Sequence, residues 1–390
     1  MNVLYLAQDF PTEQRPDACS FLLDQAKYLK RHVDVTVVAP VYNLFPLKRY
    51  QELRSYTNSI PPKTMWESLP AYYPKYTYYP GVLRRLSVRS FVRAALKTIR
   101  EQNIPVDIIH AHFLHAAGYA GIKLGQLLNR PVVVTAHGSD VHRFLLKGEG
   151  GKYLKKRAQY TLEHADAIVA VSRDIADTIR SVSPAPNLHL VYNGINLSEF
   201  KPSVGISGIR GKLSLPEKRI VLYVGNFLRA KGIYDYIAVL DALNNAGKNI
   251  HGVAIGRDMT QGDAVAKMKE RPYLTCVGPL SHEEVIPYMQ CADILLHPSY
   301  SEGFGLVIAE SLACGCPVVS TTVGAIPEIV SDSSVGLLVP AGDIKQLTQA
   351  VEEALKKTWN VQALINRASY FSLEASLKKH FDIYSELLKK

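Results

Sequence analysis

The chain reads as an α/β protein built from two successive parallel-sheet domains, and three observations carry that reading. Its 390 residues exceed one ordinary hydrophobic core and suit two. Short apolar strands alternate with helical segments through the first half, which implies parallel strands joined by crossover helices. The alternation then restarts at Ile220 and runs on to Val339.

In order, strands are expected at 3–7, 33–39, 107–111, 132–136, 167–171 and 188–191, with a helix at 21–29. The second set begins with a strand at 220–224 and a helix at 234–246. Strands at 251–255, 274–277, 294–297, 318–321 and 336–339 follow. The boundary is expected near Phe200-Lys201-Pro202, giving a first domain of 1–200 and a second of 201–372. Ligands on sheets of this kind bind at the carboxyl ends of the strands. Two such sheets offer a cleft between domains.

A hydrophobic share of 47% with 21% charged residues is that of a soluble globular protein. No apolar stretch reaches the roughly 18 residues of a membrane span. The opening MNVLYLAQDF has no basic lead and is expected to be a strand rather than a secretory signal. Five cysteines form no C-x-x-C pair and read as reduced thiols, so a cytoplasmic location is expected. The net charge is +10. Part of that excess lies in 81–100, where Arg85, Arg89, Arg93 and Lys97 recur at helical spacing beside apolar side chains. Tyr72, Tyr73, Tyr76, Tyr78 and Tyr79 precede it. This region suggests peripheral contact with an anionic membrane surface, against the plainer reading of a solvated helix face. A nucleic-acid partner is not expected, because no reading helix or aromatic-basic sheet module is present.

The stretch SEGFGLVIAESLACGCP, 301–317, is the most specific. Glu302 and Glu310 have seven residues between them, with Gly303 and Gly305 just after the first. Glycine lets a backbone approach a ligand closely, and a helix start suits an anion such as a diphosphate. Two carboxylates beside that start suit the hydroxyls of a nucleotide sugar. In VLYVGNFLRAKG, 221–232, Gly225 turns the chain at a strand end. Lys231 offers a point charge to phosphate, and Arg229 a planar fork. VVVTAHGSD brings His137 to another strand end, where a parallel strand opens onto a site. His110 and His112 are expected to pack or to touch an acceptor, since no further metal ligands accompany them.

The 302–310 segment resembles the Glu-x7-Glu signature of the retaining glycosyltransferases of family 4, and the resemblance extends over nearly the whole chain. It implies the GT-B fold: two Rossmann-like domains whose parallel sheets face a central cleft, with 373–390 crossing back to the first. It implies that His137 approaches the transferred sugar and acts with Glu302 at the reaction centre. Glu310, Lys231, Arg229, Gly225, Leu280 and the Gly303-Phe304-Gly305-Leu306 loop would bind the sugar donor. The family's phosphate-binding Gly-Arg-x-x-x-x-Lys-Gly is matched at Gly225, Lys231 and Gly232, with Asn226 at the Arg position and Arg229 as its replacement. Where relatives often carry glycine in the first loop, this chain has Cys19. No cofactor or metal is implied. The activity implied is transfer from a nucleotide-diphosphate sugar to a hydroxyl acceptor, a saccharide or lipid-linked saccharide, in cell-surface polysaccharide or glycolipid assembly. A sugar-nucleotide epimerase or hydrolase, a basic nucleic-acid-binding protein and a silent sugar-binding protein are the competing readings.

Overall fold

The structure is a computed structural model that describes residues 1–44, 50–79, 84–149, 151–185, 187–203 and 205–389. Residue contacts divide the chain into two units, Met1–Tyr192 with Leu377–Lys390, and Asn193–Ser376. The division thus falls in the Asn193-Gly194 turn rather than at Pro202. A side chain at Gly194 would meet the Leu373 backbone at 2.4 Å, so the turn needs glycine to let Ile195 exchange two backbone hydrogen bonds with Phe371 and Leu373.

The first unit contains β1 (Asn2–Leu6), β2 (Asp34–Val38), β3 (Val41–Asn43), β4 (Lys63–Trp66), β5 (Leu69–Tyr72), β6 (Lys75–Thr77), β7 (Ile108–His112), β8 (Val132–Ala136), β9 (Ala167–Ala170) and β10 (Leu188–Leu190). Its helices include α1 (Ser20–Lys30), α2 (Gln51–Ser59), α3 (Arg84–Glu101), α4 (Tyr119–Leu128), α5 (Gly151–His164) and α6 (Arg173–Val182). The main sheet has the order β10-β9-β8-β7-β1-β2-β5-β4, parallel except where β4 runs against β5. Strands β7, β8 and β9 are buried along their whole length, as expected of parallel strands covered on both faces. β1 lies between β2 and β7, so the winding reverses there and opens a crevice at the carboxyl ends. The sequence did not foretell β3 to β6. Tyr73 and Tyr76 of the aromatic segment are core residues, 2% and 5% exposed.

Helix α3 corrects one expectation. Its apolar side chains Val88, Phe91, Ala95 and Ile99 are buried in the first unit, while Arg85, Arg89, Arg93 and Lys97 are exposed. The apolar stripe is consumed by the core and is not a surface beside the cations. The expected first turn at 81–83 lies outside the described residues.

The second unit contains β11 (Arg219–Val224), β12 (Ile250–Ile255), β13 (Leu274–Gly278), β14 (Ile294–His297), β15 (Val318–Thr321) and β16 (Gly336–Val339). All six are parallel, in the order β13-β12-β11-β14-β15-β16. Their helices are α7 (Ile206–Lys212), α8 (Ile233–Asn245), α9 (Asp263–Lys269), α10 (His282–Cys291), α11 (Leu306–Ala313), α12 (Ile326–Ile329), α13 (Ile344–Lys356) and α14 (Val361–Ser369). Tyr223, Phe227 and Tyr236 are fully buried in its core. Strand order reverses at β11, between β12 and β14, and the chemically distinctive loops leave the carboxyl ends of those strands. Helix α15 (Leu373–Leu388) contributes its residues from Leu377 onward to the first unit. There the Tyr384 hydroxyl lies 2.6 Å from His110 Nδ1, both buried.

Candidate active-site geometry

The loop after β14 carries Glu302 and leads into α11. Gly305 is the residue before the helix, with φ of 95°, a left-handed value that an L side chain rarely adopts. A Cβ there would also lie 3.3 Å from Glu302 Cγ. Gly303 is not among the glycines with positive φ, so the unusual backbone expected of both glycines belongs to Gly305. Phe304 is an anchor: its ring is 3% exposed and packs edge-to-face on Phe371 at 5.5 Å. Leu306 opens α11, and Glu310 sits mid-helix, 7% exposed.

Glu302 is the electrostatic centre of this loop. Its Oε2 accepts from Lys231 Nζ at 2.6 Å and lies 3.1 Å from His297 Nε2. Burial raises its carboxyl, but the Lys231 ammonium and the His297 contact outweigh that and hold it at about 2. It is therefore ionised at neutral pH. Two glycines allow the approach. A Cβ at Gly324 would fall 2.0 Å from the Glu302 carbonyl oxygen, and one at Gly232 would fall 1.9 Å from the Pro298 carbonyl oxygen.

Lys231 stands on a short turn, Arg229–Lys231, after β11. The buried Tyr223 hydroxyl donates to the Asn226 carbonyl at 3.0 Å and to the Lys231 carbonyl at 3.3 Å, which fixes the loop. Gly225 has φ of 152° and Gly256 φ of 156°; a Cβ at Gly256 would lie 1.9 Å from Gly225 O. The two strand ends are thus pressed together with no side chain between them. Arg229 lines a different hollow of about 590 Å³ with Asp235 and Tyr300, whose hydroxyl donates to Asp235 at 2.8 Å. Asn226 is exposed, and Leu280 is half-buried just past β13. The fold brings Glu302, Lys231, His297 and Gly324 together, and places Glu310 about one and a half helix turns beyond Gly305.

His137 belongs to the first unit, at the end of β8. Its Nε2 lies 3.0 Å from His112 Nδ1, and its ring contacts Phe113 and Phe21 at 4.6 and 5.2 Å. Burial, then His380, lowers it to about 3, so it is neutral at pH 7. Asp140, fully buried, accepts from the backbone N–H of His137, Gly138 and Leu114 at 3.1, 2.9 and 2.8 Å. It ties the loop after β8 to the loop after β7. His110 packs against Thr135 Oγ1 at 2.7 Å. Among the described residues, no group of three His, Cys, Asp or Glu side chains converges as a metal site.

Sequence reasoning missed His297 and Gly324. A histidine closing a parallel strand five residues before the acid was a usable signal for the first. Nothing local marks Gly324, because its need arises only from the approach of the Glu302 carbonyl.

Comparison with known proteins identifies the family. A family model described as Glycosyltransferase Family 4 matches residues 20–199, and one described as Glycosyl transferases group 1 matches 207–370. A Bacillus subtilis protein, TuaC, named for a glycosyltransferase role in teichuronic acid biosynthesis, is 28% identical over 362 residues, covering 92% of this chain and 89% of that one. Sucrose-phosphate synthase from Thermosynechococcus elongatus superposes with a TM-score of 0.81 at 23% identity, covering 100% of both chains. Anabaena HepE, solved in complex with UDP-glucose, gives 0.72 at 21% identity, covering 99% of this chain and 100% of that one. The chain belongs to the GT-B glycosyltransferases of the family 4 type. It is an enzyme of the hexosyltransferase class.

Proposed function

We propose that this glycosyltransferase moves a sugar, with retention of anomeric configuration, from a nucleotide-diphosphate sugar to a hydroxyl of a saccharide or lipid-linked saccharide. The observation that carries the reading is the half-buried Glu302–Lys231 pair beside the glycine start of α11. Glu302 and the backbone from Gly303 to Gly305 hold the sugar. Glu310 holds the ribose hydroxyls. Leu280 lies on the base side, and Gly225 lets the backbone meet phosphate. In the transition state the departing diphosphate gains negative charge. Lys231 and the N–H groups at the start of α11 stabilise that charge where it develops. Arg229 serves the same diphosphate if its side chain leaves the Asp235 hollow. His137, neutral, offers a ring N–H to the sugar rather than a charge. The incoming hydroxyl gives its proton to the leaving phosphate oxygen, so no protein base and no metal is needed. The sugar bond to the diphosphate breaks as the bond to the acceptor oxygen forms on the same face.

Support for the donor class comes from the HepE neighbour, whose structure was solved with UDP-glucose. The test is product analysis. Purified protein with nucleotide sugars and an acceptor panel should yield a glycoside with the donor's anomeric configuration by NMR. An inverted product would sink the retaining mechanism. A change in Glu302 should lower turnover by about 100-fold or more.

Peripheral attachment to an anionic membrane is a second element of the proposal, favoured by the exposed row Arg85, Arg89, Arg93 and Lys97. Among the described residues no helix is long and apolar enough to cross a membrane. With the apolar side of α3 consumed by the core, the attachment is electrostatic.

A further inference from the structure

We propose that a cavity of about 340 Å³ in the first unit takes an amphiphilic, anionic acceptor, an apolar chain that carries its charge at one end. This rests on the transferase reading and names the acceptor class for it. The cavity opens outside the carboxyl ends of β1, β2 and β7: Gln8 follows β1, Tyr42 lies on the strand just after β2, and His115 follows β7. That is the switch point of this sheet, where ligands of open α/β folds bind.

The walls specify the chemistry. Tyr42, Tyr76, Tyr78 and Phe91 line the cavity, with Leu44 and Leu53 beside them. Tyr42 and Tyr76 contact each other at 5.3 Å, and Tyr76 packs on Phe91 at 5.1 Å. Their polar atoms are engaged within the wall: Gln8 Nε2 donates to the Tyr42 hydroxyl, and Tyr42 and Tyr76 share a side-chain hydrogen bond. A saccharide needs partners for most of its hydroxyls, and the Tyr42 and Tyr76 hydroxyls are already engaged. An apolar chain needs none. Arg157 lines the same cavity. Its guanidinium stacks over Tyr153 at 4.0 Å and Tyr119 at 4.7 Å, which fixes the charge in position.

Two further observations point the same way. The loop after β7 holds Phe113 at φ of 71° and Ala116 at φ of 54°, left-handed values outside glycine; strain of this kind collects at ligand sites. Leu53 is 40% exposed at the cavity although apolar. Helix α3 supplies Val88 and Phe91 to the wall and keeps Arg89 and Arg93 exposed, so an anionic amphiphile approaches through a favourable field.

The test uses the full chain and dodecyl phosphate below its micelle concentration, followed by titration calorimetry. Dodecyl maltoside and inorganic phosphate are the comparators. The expected result is saturable binding of dodecyl phosphate, weakened about tenfold or more by L53W, which fills the mouth. R157Q should erase the preference for dodecyl phosphate over dodecyl maltoside. In parallel, a panel of UDP-, GDP- and ADP-sugars is scored by thermal shift. The sugar that stabilises wild type should stabilise L53W and R157Q equally, which also shows that both variants are folded. The proposal is overturned if wild type does not bind dodecyl phosphate, or if both variants bind it as wild type does while the sugar shift persists. A wild-type protein that no nucleotide sugar stabilises fails the transferase reading instead, and the amphiphile loses its standing as an acceptor.

Discussion

Lys231 Nζ lies 2.6 Å from Glu302 Oε2, joining the turn after β11 to the loop after β14 across 71 positions of sequence. The pair is only partly screened by water, since the two side chains are 31% and 13% exposed. It fixes an ionised carboxylate and a cation side by side near the start of α11.

Glu302→Gln keeps the shape and removes the charge. Turnover should fall by about 100-fold or more while the fold survives, because the Lys231 ammonium can turn back to water. Urea unfolding should show a loss of about 1–2 kcal/mol. A variant that turns over at the wild-type rate removes Glu302 from the reaction centre.

Acid should weaken the second unit in a defined window. The folded Glu302 carboxyl sits at about 2, below its ordinary 4.5, so the unfolded chain binds a proton that the folded chain refuses. The stabilisation is complete above pH 4.5 and disappears as pH falls toward 2, amounting to about 3 kcal/mol at most. Stability measured from pH 6 to pH 3 should fall less steeply in Glu302→Gln than in wild type.

The first unit should begin to weaken at higher pH. Burial holds His110, His112 and His137 below the ordinary histidine range, in each case helped by neighbouring histidines. Unfolded histidines take up protons near pH 6.5, so this stability is full above that value and falls as pH drops toward the folded values. Stability should fall between pH 7 and pH 5, and His112→Gln should make the slope shallower. An unfolding midpoint that does not move over this range would contradict the buried, neutral cluster.

Two backbone positions should respond in opposite directions. Gly324→Ala places a Cβ 2.0 Å from the Glu302 carbonyl at φ of 53°, and should cost about 2–4 kcal/mol together with sugar-donor binding. Cys19, the residue before α1, already bears φ of 50° with a side chain. Cys19→Gly should relieve that strain and leave stability unchanged or raised by up to about 1 kcal/mol. Melting curves of the two variants decide both.

Much of the fold was legible in the sequence. The alternation of short apolar runs placed most strands of both sheets within a residue or two, because parallel strands buried on both faces leave an unmistakable apolar signal. The step from Gly305 into the apolar run of α11 marked the helix start for a local reason, the φ that only glycine adopts cheaply. The segment from Val41 to Thr77 was not legible as strands, since its tyrosines read as a polar-aromatic surface and only tertiary packing buries Tyr73 and Tyr76. The apolar row of α3 was visible, but whether it faced core or membrane was not a property of the helix alone. Gly324 acts through a contact that forms only when the loops after β14 and β15 meet, whereas His297 stands just five residues before the acid it touches. Arg229 was read as a phosphate ligand from its planar fork, as a stand-in for the Arg that Asn226 replaces; its side chain lines the hollow with Asp235.

The central claim is that the second unit grips a nucleotide-diphosphate sugar through Glu302, Lys231 and Glu310. A thermal-shift titration with UDP-, GDP- and ADP-sugars tests it most directly. At about 100 times its dissociation constant the right ligand adds about 2.7 kcal/mol of stability. The account predicts a clear rise in Tm with one nucleotide class, reduced in Lys231→Ala and in Glu310→Ala. No rise with any sugar nucleotide, or an equal rise in both variants, would contradict it.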